Sequence, residues 1–139
     1  MIVLDTNIAS ELSRRDGQEL IRIWAGKHEM AELFLSAPVV SEIAFGAELF
    51  FLRTGSAKHM LGLREMLDVQ FKGKVLDFTT RAAMLAGRFR AIRERAGRSV
   101  SAMDMAIAGI AAANNATLAT RNVRDFEGLD LKLINPFEA

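Results

Sequence analysis

Short apolar runs alternate with stretches of helical spacing along this chain, and that alternation constrains its fold more than any other feature. Ile2-Val3-Leu4 is the first run, and it stops at a charged residue, Asp5. Leu33-Phe34-Leu35, Val75-Leu76, Thr117-Leu118-Ala119 and Leu131 to Ile134 repeat the pattern. Short runs that are apolar at successive positions suit strands covered on both faces. Helical patterns fill the intervals. One follows Asp5, breaks near Asp16-Gly17 and resumes through Leu20, Ile23 and Trp24. Pro38 opens another through Val39, Ile43, Phe45, Leu49 and Leu52, proline being tolerated in a first helical turn. A further helix is predicted from Ser56 to Phe71. After Thr79-Thr80, the positions Ala82, Leu85, Phe89, Ile92 and Ala96 mark one buried stripe. Ser101 reads as the N-cap of an apolar helix from Ala102 to Ala113. Strands alternating with helices predict an α/β domain with a mainly parallel sheet. Ligands of such sheets bind beyond the carboxyl ends of the strands.

The 139 residues carry no repeat or linker, so residues 1–139 read as a single domain. The chain has no cysteine, which excludes a disulfide framework and thiolate metal sites. Its N-terminus lacks the basic region of a signal peptide, and no apolar stretch approaches the roughly 20 residues of a membrane helix. A cytoplasmic protein is expected. Net charge is only +1, so overall charge does not mark a nucleic-acid binder. Residues 81–98, however, hold Arg81, Arg88, Arg90, Arg93, Arg95 and Arg98 against one acid, Glu94. That excess could attract phosphates, or the arginine stems could simply cover core edges.

Three acids stand where packing alone would not put them. Asp5 ends an apolar strand, Glu42 follows Pro38-Val39-Val40-Ser41, and Asp104 is the only charge between Val100 and Asn115. Each has an ordinary explanation. Asp5 could cap the next helix, Glu42 could answer a helix dipole, and Asp104 could form a capping box with Ser101. In the expected topology, however, all three converge on one edge of the sheet. Like charges gathered there repel, and a bound cation is the natural compensation. Oxygen-only ligation selects Mg²⁺, with Mn²⁺ able to substitute, over zinc.

The motifs resemble those of the PIN domain, and more narrowly of VapC-type toxins from bacterial toxin–antitoxin pairs. The carriers are Val3-Leu4-Asp5-Thr6-Asn7, the Ser41-Glu42 step, and Ser101-Ala102-Met103-Asp104. Leu118-Ala119-Thr120-Arg121-Asn122 with Asp125-Phe126, and Ile134-Asn135-Pro136-Phe137, complete the match across essentially the whole chain. The resemblance implies a three-layer α/β/α domain whose central sheet has four to five short strands. It implies Asp5, Glu42 and Asp104 as catalytic metal ligands. Asn122 stands where many members carry aspartate, so Asp125 is the expected fourth ligand and Asn122 a secondary contact. Thr6, Asn7, Ser101 and Thr120 are expected to support the ligands. The implied activity is endoribonuclease cleavage leaving 5′-phosphate and 3′-hydroxyl ends. The implied partners are RNA, a cognate antitoxin and a second copy of the chain, with promoter DNA reached only through the antitoxin. An alternative is a catalytically weak co-repressor subunit. A receiver-type signalling domain fits poorly, since it expects an acid pair after the first strand.

Other candidates carry less. Asp77 reads as a solvated turn acid, and His28 and His59 as exposed surface histidines. Phe45, Leu49, Phe50, Phe51 and Leu52 exceed what one helix stripe needs, which predicts either a helix buried on two sides or a surface shared with a partner.

Overall fold

A computed structural model describes residues 1–14 and 16–138. Among them lie the strands β1 (Ile2–Leu4), β2 (Leu33–Ser36), β3 (Val75–Leu76), β4 (Thr117–Ala119) and β5 (Lys132–Ile134). The helices are α1 (Thr6–Ser13), α2 (Glu19–Gly26), α3 (Ala37–Thr54), α4 (Lys58–Glu65), α5 (Thr80–Arg95) and α6 (Ala102–Ala113). All five strands are parallel, in the order β3-β2-β1-β4-β5, and the helices flank them to complete the α/β/α sandwich. None of these helices is long and apolar enough to cross a membrane.

The strand order decides where the site can lie. From β1 the chain builds outward through β2 and β3 on one side, then returns to add β4 and β5 on the other. The crevice between β1 and β4 is therefore the switch point of the sheet, the place where flanking connections diverge and leave a cleft. Ile2 pairs with Thr117 and Leu4 with Ala119, so Asp5 and Thr120 emerge side by side at its mouth. Val3, Leu4, Leu33, Leu35 and Leu118 are wholly buried, which explains why these strands are apolar at successive positions. Each such side chain contributes about 1.5–3 kcal/mol.

α6 lies deep, burying every residue from Met105 to Ala111. A Cβ at Gly109 would lie 2.3 Å from the Ala82 carbonyl oxygen, so only glycine lets α5 and α6 approach this closely. The stripe expected on α5 is corrected here. Ala82, Ala86, Phe89 and Arg93 are the buried positions, Leu85 is half-buried, and Ile92 and Ala96 are exposed. The spacing 82, 86, 89, 93 keeps to one helix face, and that face ends on an arginine. Arg93 fits because its Nη1 donates to the Glu127 carbonyl at 2.8 Å.

Two further expectations change in detail. The helix expected over 56–71 is α4 followed by a π-helical turn, Met66–Gln70, closed by the Phe71 amide donating to the Met66 carbonyl at 2.8 Å. The widened turn places both Met66 and Phe71 in the core. α3 buries one stripe, Val39, Ile43 and Ala47, while Phe45 and Leu52 are 67% and 76% exposed. Within a single chain its second apolar side is thus uncovered.

Candidate active site

Asp5 sits at the end of β1 and caps α1, with its two carboxylate oxygens bound to different elements. Oδ1 accepts from the Thr6 amide at 2.8 Å, and Oδ2 accepts from the Thr120 hydroxyl at 2.7 Å. Thr120 is wholly buried just past β4, and its hydroxyl oxygen also accepts from the Asn122 amide at 3.0 Å. Capping therefore accounts for one oxygen only. The Thr6 hydroxyl meanwhile donates to Glu42 Oε1 at 2.7 Å, linking α1 to α3. Glu42 lies beyond the first turn of α3, where the pull of the helix dipole has already faded, so the dipole does not explain it.

Asp104 occupies the first turn of α6. Its backbone amide donates to Ser101 Oγ at 3.2 Å, the cap expected of Ser101. Burial, then the charges of Asp5, Asp125 and Glu42, push its carboxyl up to about 6. The Asp5 carboxyl is also raised. Burial is the largest cause, opposed by the Thr120 and Thr6 hydrogen bonds and reinforced by Glu42 and Asp125. Asp104 thus feels the other three acids across the switch point, and Asp5 feels Glu42 and Asp125. Among the described residues none of the four is ion-paired with a lysine or arginine.

Asp125 stands on a 3₁₀ turn, Val123–Phe126, anchored by buried Phe126. Its amide donates to the Asn122 carbonyl at 3.0 Å, so Asn122 shapes the turn through its backbone. The side chains of Asn122 and Asn7 are exposed at the rim. Asp77 is solvated past the edge strand β3, away from the switch point.

The donor set suits a hard divalent cation, being carboxylate oxygens with hydroxyls behind them. Among the described residues, no three acidic, histidine or cysteine side chains close together tightly enough to cage an ion. Mg²⁺ needs no such cage, since it usually takes one or two carboxylates and fills its shell with water and phosphate oxygens.

The histidines differ from expectation. His59 is half-buried, its ring tilted against Phe50 at 4.3 Å between centroids, and His28 packs similarly on Trp24 at 4.8 Å. His59, Arg14 and Arg53 also line a groove that includes Thr6 and Glu42. None of these three is among the site residues expected from sequence. The available signal was the helical spacing of Glu42, Gly46, Phe50 and Arg53 along α3.

A profile of the PIN domain matches residues 2–131. The plasmid stability protein StbB of Pseudomonas syringae pv. tomato is 34% identical over 146 residues, covering all of both chains. Toxin FitB of Neisseria gonorrhoeae is 31% identical and VapC ribonuclease Y4jK of Sinorhizobium fredii 33% identical, each match covering 99% of both chains. Among solved structures, FitAcB from Neisseria gonorrhoeae matches all of both chains with a TM-score of 0.85 at 31% identity. DNA-bound VapBC from Salmonella typhimurium matches 97% of each chain with a TM-score of 0.79 at 26% identity.

Proposed function

This chain belongs to the PIN domain family, and from that premise we propose that it is a Mg²⁺-dependent endoribonuclease, the toxin of a toxin–antitoxin pair. One observation carries the reading. Four carboxylates from separate elements gather at the switch point of the sheet, and burial, then the neighbouring acids, raise the Asp5 and Asp104 carboxyls with no lysine or arginine ion-paired to them among the described residues. Structure alone gives no reason to maintain such repulsion, whereas a divalent cation and a phosphate give one. Relatives named as ribonucleases and as tRNA(fMet)-specific endonucleases support RNA as the substrate.

Asp5, Glu42, Asp104 and Asp125 would hold the cation between them, one or two directly and the others through its waters. When bound, it supplies a water of lowered pKa and charge stabilisation for the phosphodiester. The protein's share is positioning. Thr120 and the Thr6 amide fix both oxygens of Asp5, and the Thr6 hydroxyl fixes Glu42 at 2.7 Å. Asp104, whose raised carboxyl favours the protonated form, would have to give up its proton to hold the cation. Cleavage leaves 5′-phosphate and 3′-hydroxyl ends, because no step requires the ribose 2′-hydroxyl as nucleophile.

The uncovered apolar side of α3 supports a homodimer, an antitoxin segment, or both as partners, and the protein acts in the cytoplasm. A second reading, a catalytically weak co-repressor, draws on the DNA-bound assemblies of relatives and on the openness of the acid cluster. Incubation of total cellular RNA with Mg²⁺ or Mn²⁺ separates the two. Cleavage that EDTA and Asp104→Asn both abolish is expected; cleavage that persists in EDTA, or a cyclic phosphate end, overturns the metal mechanism.

A further inference from the structure

Beside the acid cluster, a groove of about 490 Å³ runs between α1 and α3, within the size range of sites that hold small organic ligands. Its two ends are opposite in charge. Thr6 and Glu42 form one end, and Arg14, Arg53 and His59 the other. α3 supplies most of this gradient, because Glu42, Gly46, Phe50 and Arg53 recur at helical spacing along one face. Glu42 and Arg53 stand eleven positions apart, about 16 Å along the helix axis. At the far end the Arg53 guanidinium and the Lys58 ammonium each lie 5.4 Å from the Phe50 ring centroid, and His59 tilts against the same ring. The middle is kept low by Gly46, where an added Cβ would meet no atom within 4 Å.

We propose that this groove carries the RNA strand away from the scissile phosphate, with Arg14 and Arg53 on its backbone phosphates and His59 on a ribose hydroxyl or base edge. The inference rests on the nuclease reading and names the substrate path for that site. A phosphodiester chain fits the gradient. Its scissile phosphate would lie at the acid end, where the carboxylates would hold a divalent cation, and the next phosphates would meet the arginines directly. An acidic peptide would satisfy the arginines as well, but it carries no ribose hydroxyl or base edge for His59 to meet. His59 reports the same field. Its imidazole is held below its ordinary value by burial and then by Arg14 and Lys58, with Asp16 opposing. A neutral imidazole offers one donor and one acceptor, which suits a 2′-hydroxyl or a base edge better than a phosphate.

Binding and cleavage of a fluorescein-labelled single-stranded RNA of mixed sequence, about twelve nucleotides long, test this. Arg14→Gln with Arg53→Gln should raise Kd and KM at least tenfold, change kcat less than threefold, and flatten the salt dependence. Loss of two single-strand phosphate contacts reduces the slope of log K against log salt by about 1.4. Arg14→Lys with Arg53→Lys should restore the slope. Gly46→Leu fills the groove without touching a charge and has room to fold, and it should weaken RNA binding to a similar degree. Unchanged Kd and salt slope in the glutamine pair overturn the proposal. So does polyglutamate of matched charge competing as well as the RNA, which would assign the groove to an acidic peptide. Wild-type protein that binds RNA through these residues but never cleaves it fails the nuclease reading and leaves the groove assignment standing.

Discussion

Asp5 and Arg93 are equally buried, each 5% exposed, yet the fold treats the two charges in opposite ways. Asp5 is held from both sides by Thr6 and Thr120 and surrounded by other acids. Arg93 has one hydrogen bond, to the Glu127 carbonyl, and its Nε is left without a partner among the described residues. No acid is ion-paired with it there. An acid that is fully oriented but electrostatically opposed is arranged for a ligand. An arginine with a single backbone bond is arranged to pin a loop, here the segment that follows the Asp125 turn. Burial alone therefore says little about purpose; what surrounds the charge says more.

The comparison can be broken at either end, beginning with the largest effect. Asp104→Asn should cut metal-dependent RNA cleavage by about 10³-fold, the loss of several kcal/mol of transition-state stabilisation. The same variant should not lose thermal stability in EDTA at neutral pH, because it removes a charge its neighbours oppose. A less stable Asp104→Asn protein would mean that the acid cluster is structural after all. Thr120→Val should lower cleavage about tenfold to a hundredfold, as loss of a group orienting a ligand does, while RNA binding stays within a few fold.

Arg93→Ala should cost about 2 kcal/mol in urea unfolding, chiefly through the aliphatic stem packed in the core. Arg93→Met, which keeps that volume and removes the sparsely bonded charge, should stay within about 1 kcal/mol of wild type. A much larger cost for methionine would show that the charge itself is stabilised and would erase the contrast with Asp5.

The smallest effect is on pH dependence. In EDTA the folded protein keeps the Asp104 proton up to about pH 6, against an ordinary value of 3.8. Between those values the folded state binds more protons than the unfolded one, so stability falls as pH rises. Wild type should therefore lose a few degrees of Tm relative to Asp104→Asn between pH 4 and 7, and Mg²⁺ should reverse the loss. Parallel melting profiles across that range would falsify the shift.

Much of this was legible in the order of residues. The central strand β1 showed itself because a doubly covered strand is apolar at each position, and Asp104 because its helix holds no other charge. Arg93 was hidden, since an arginine on a buried stripe is recognisable only when the carbonyl of Glu127, distant in sequence, is known to meet it. His59 escaped for a similar reason. Its partner Phe50 lies on another helix, and nothing local signals their contact. Asn122 and Asp125 could not be separated by spacing, because a 3₁₀ turn presents backbone and side chains in ways that residue type alone does not determine.

The bond from Thr120 to Asp5 joins residues 115 positions apart. Of the five strands β1 is made first but sits in the middle of the sheet, and its partner across the switch point, β4, is made only after β2 and β3. A nascent chain emerging from the ribosome therefore holds Asp5 long before it has Asp104, Thr120 or Asp125, and contacts this distant form late in folding. An enzyme that cuts RNA would be harmless to the ribosome making it until these later residues had emerged and packed beside Asp5.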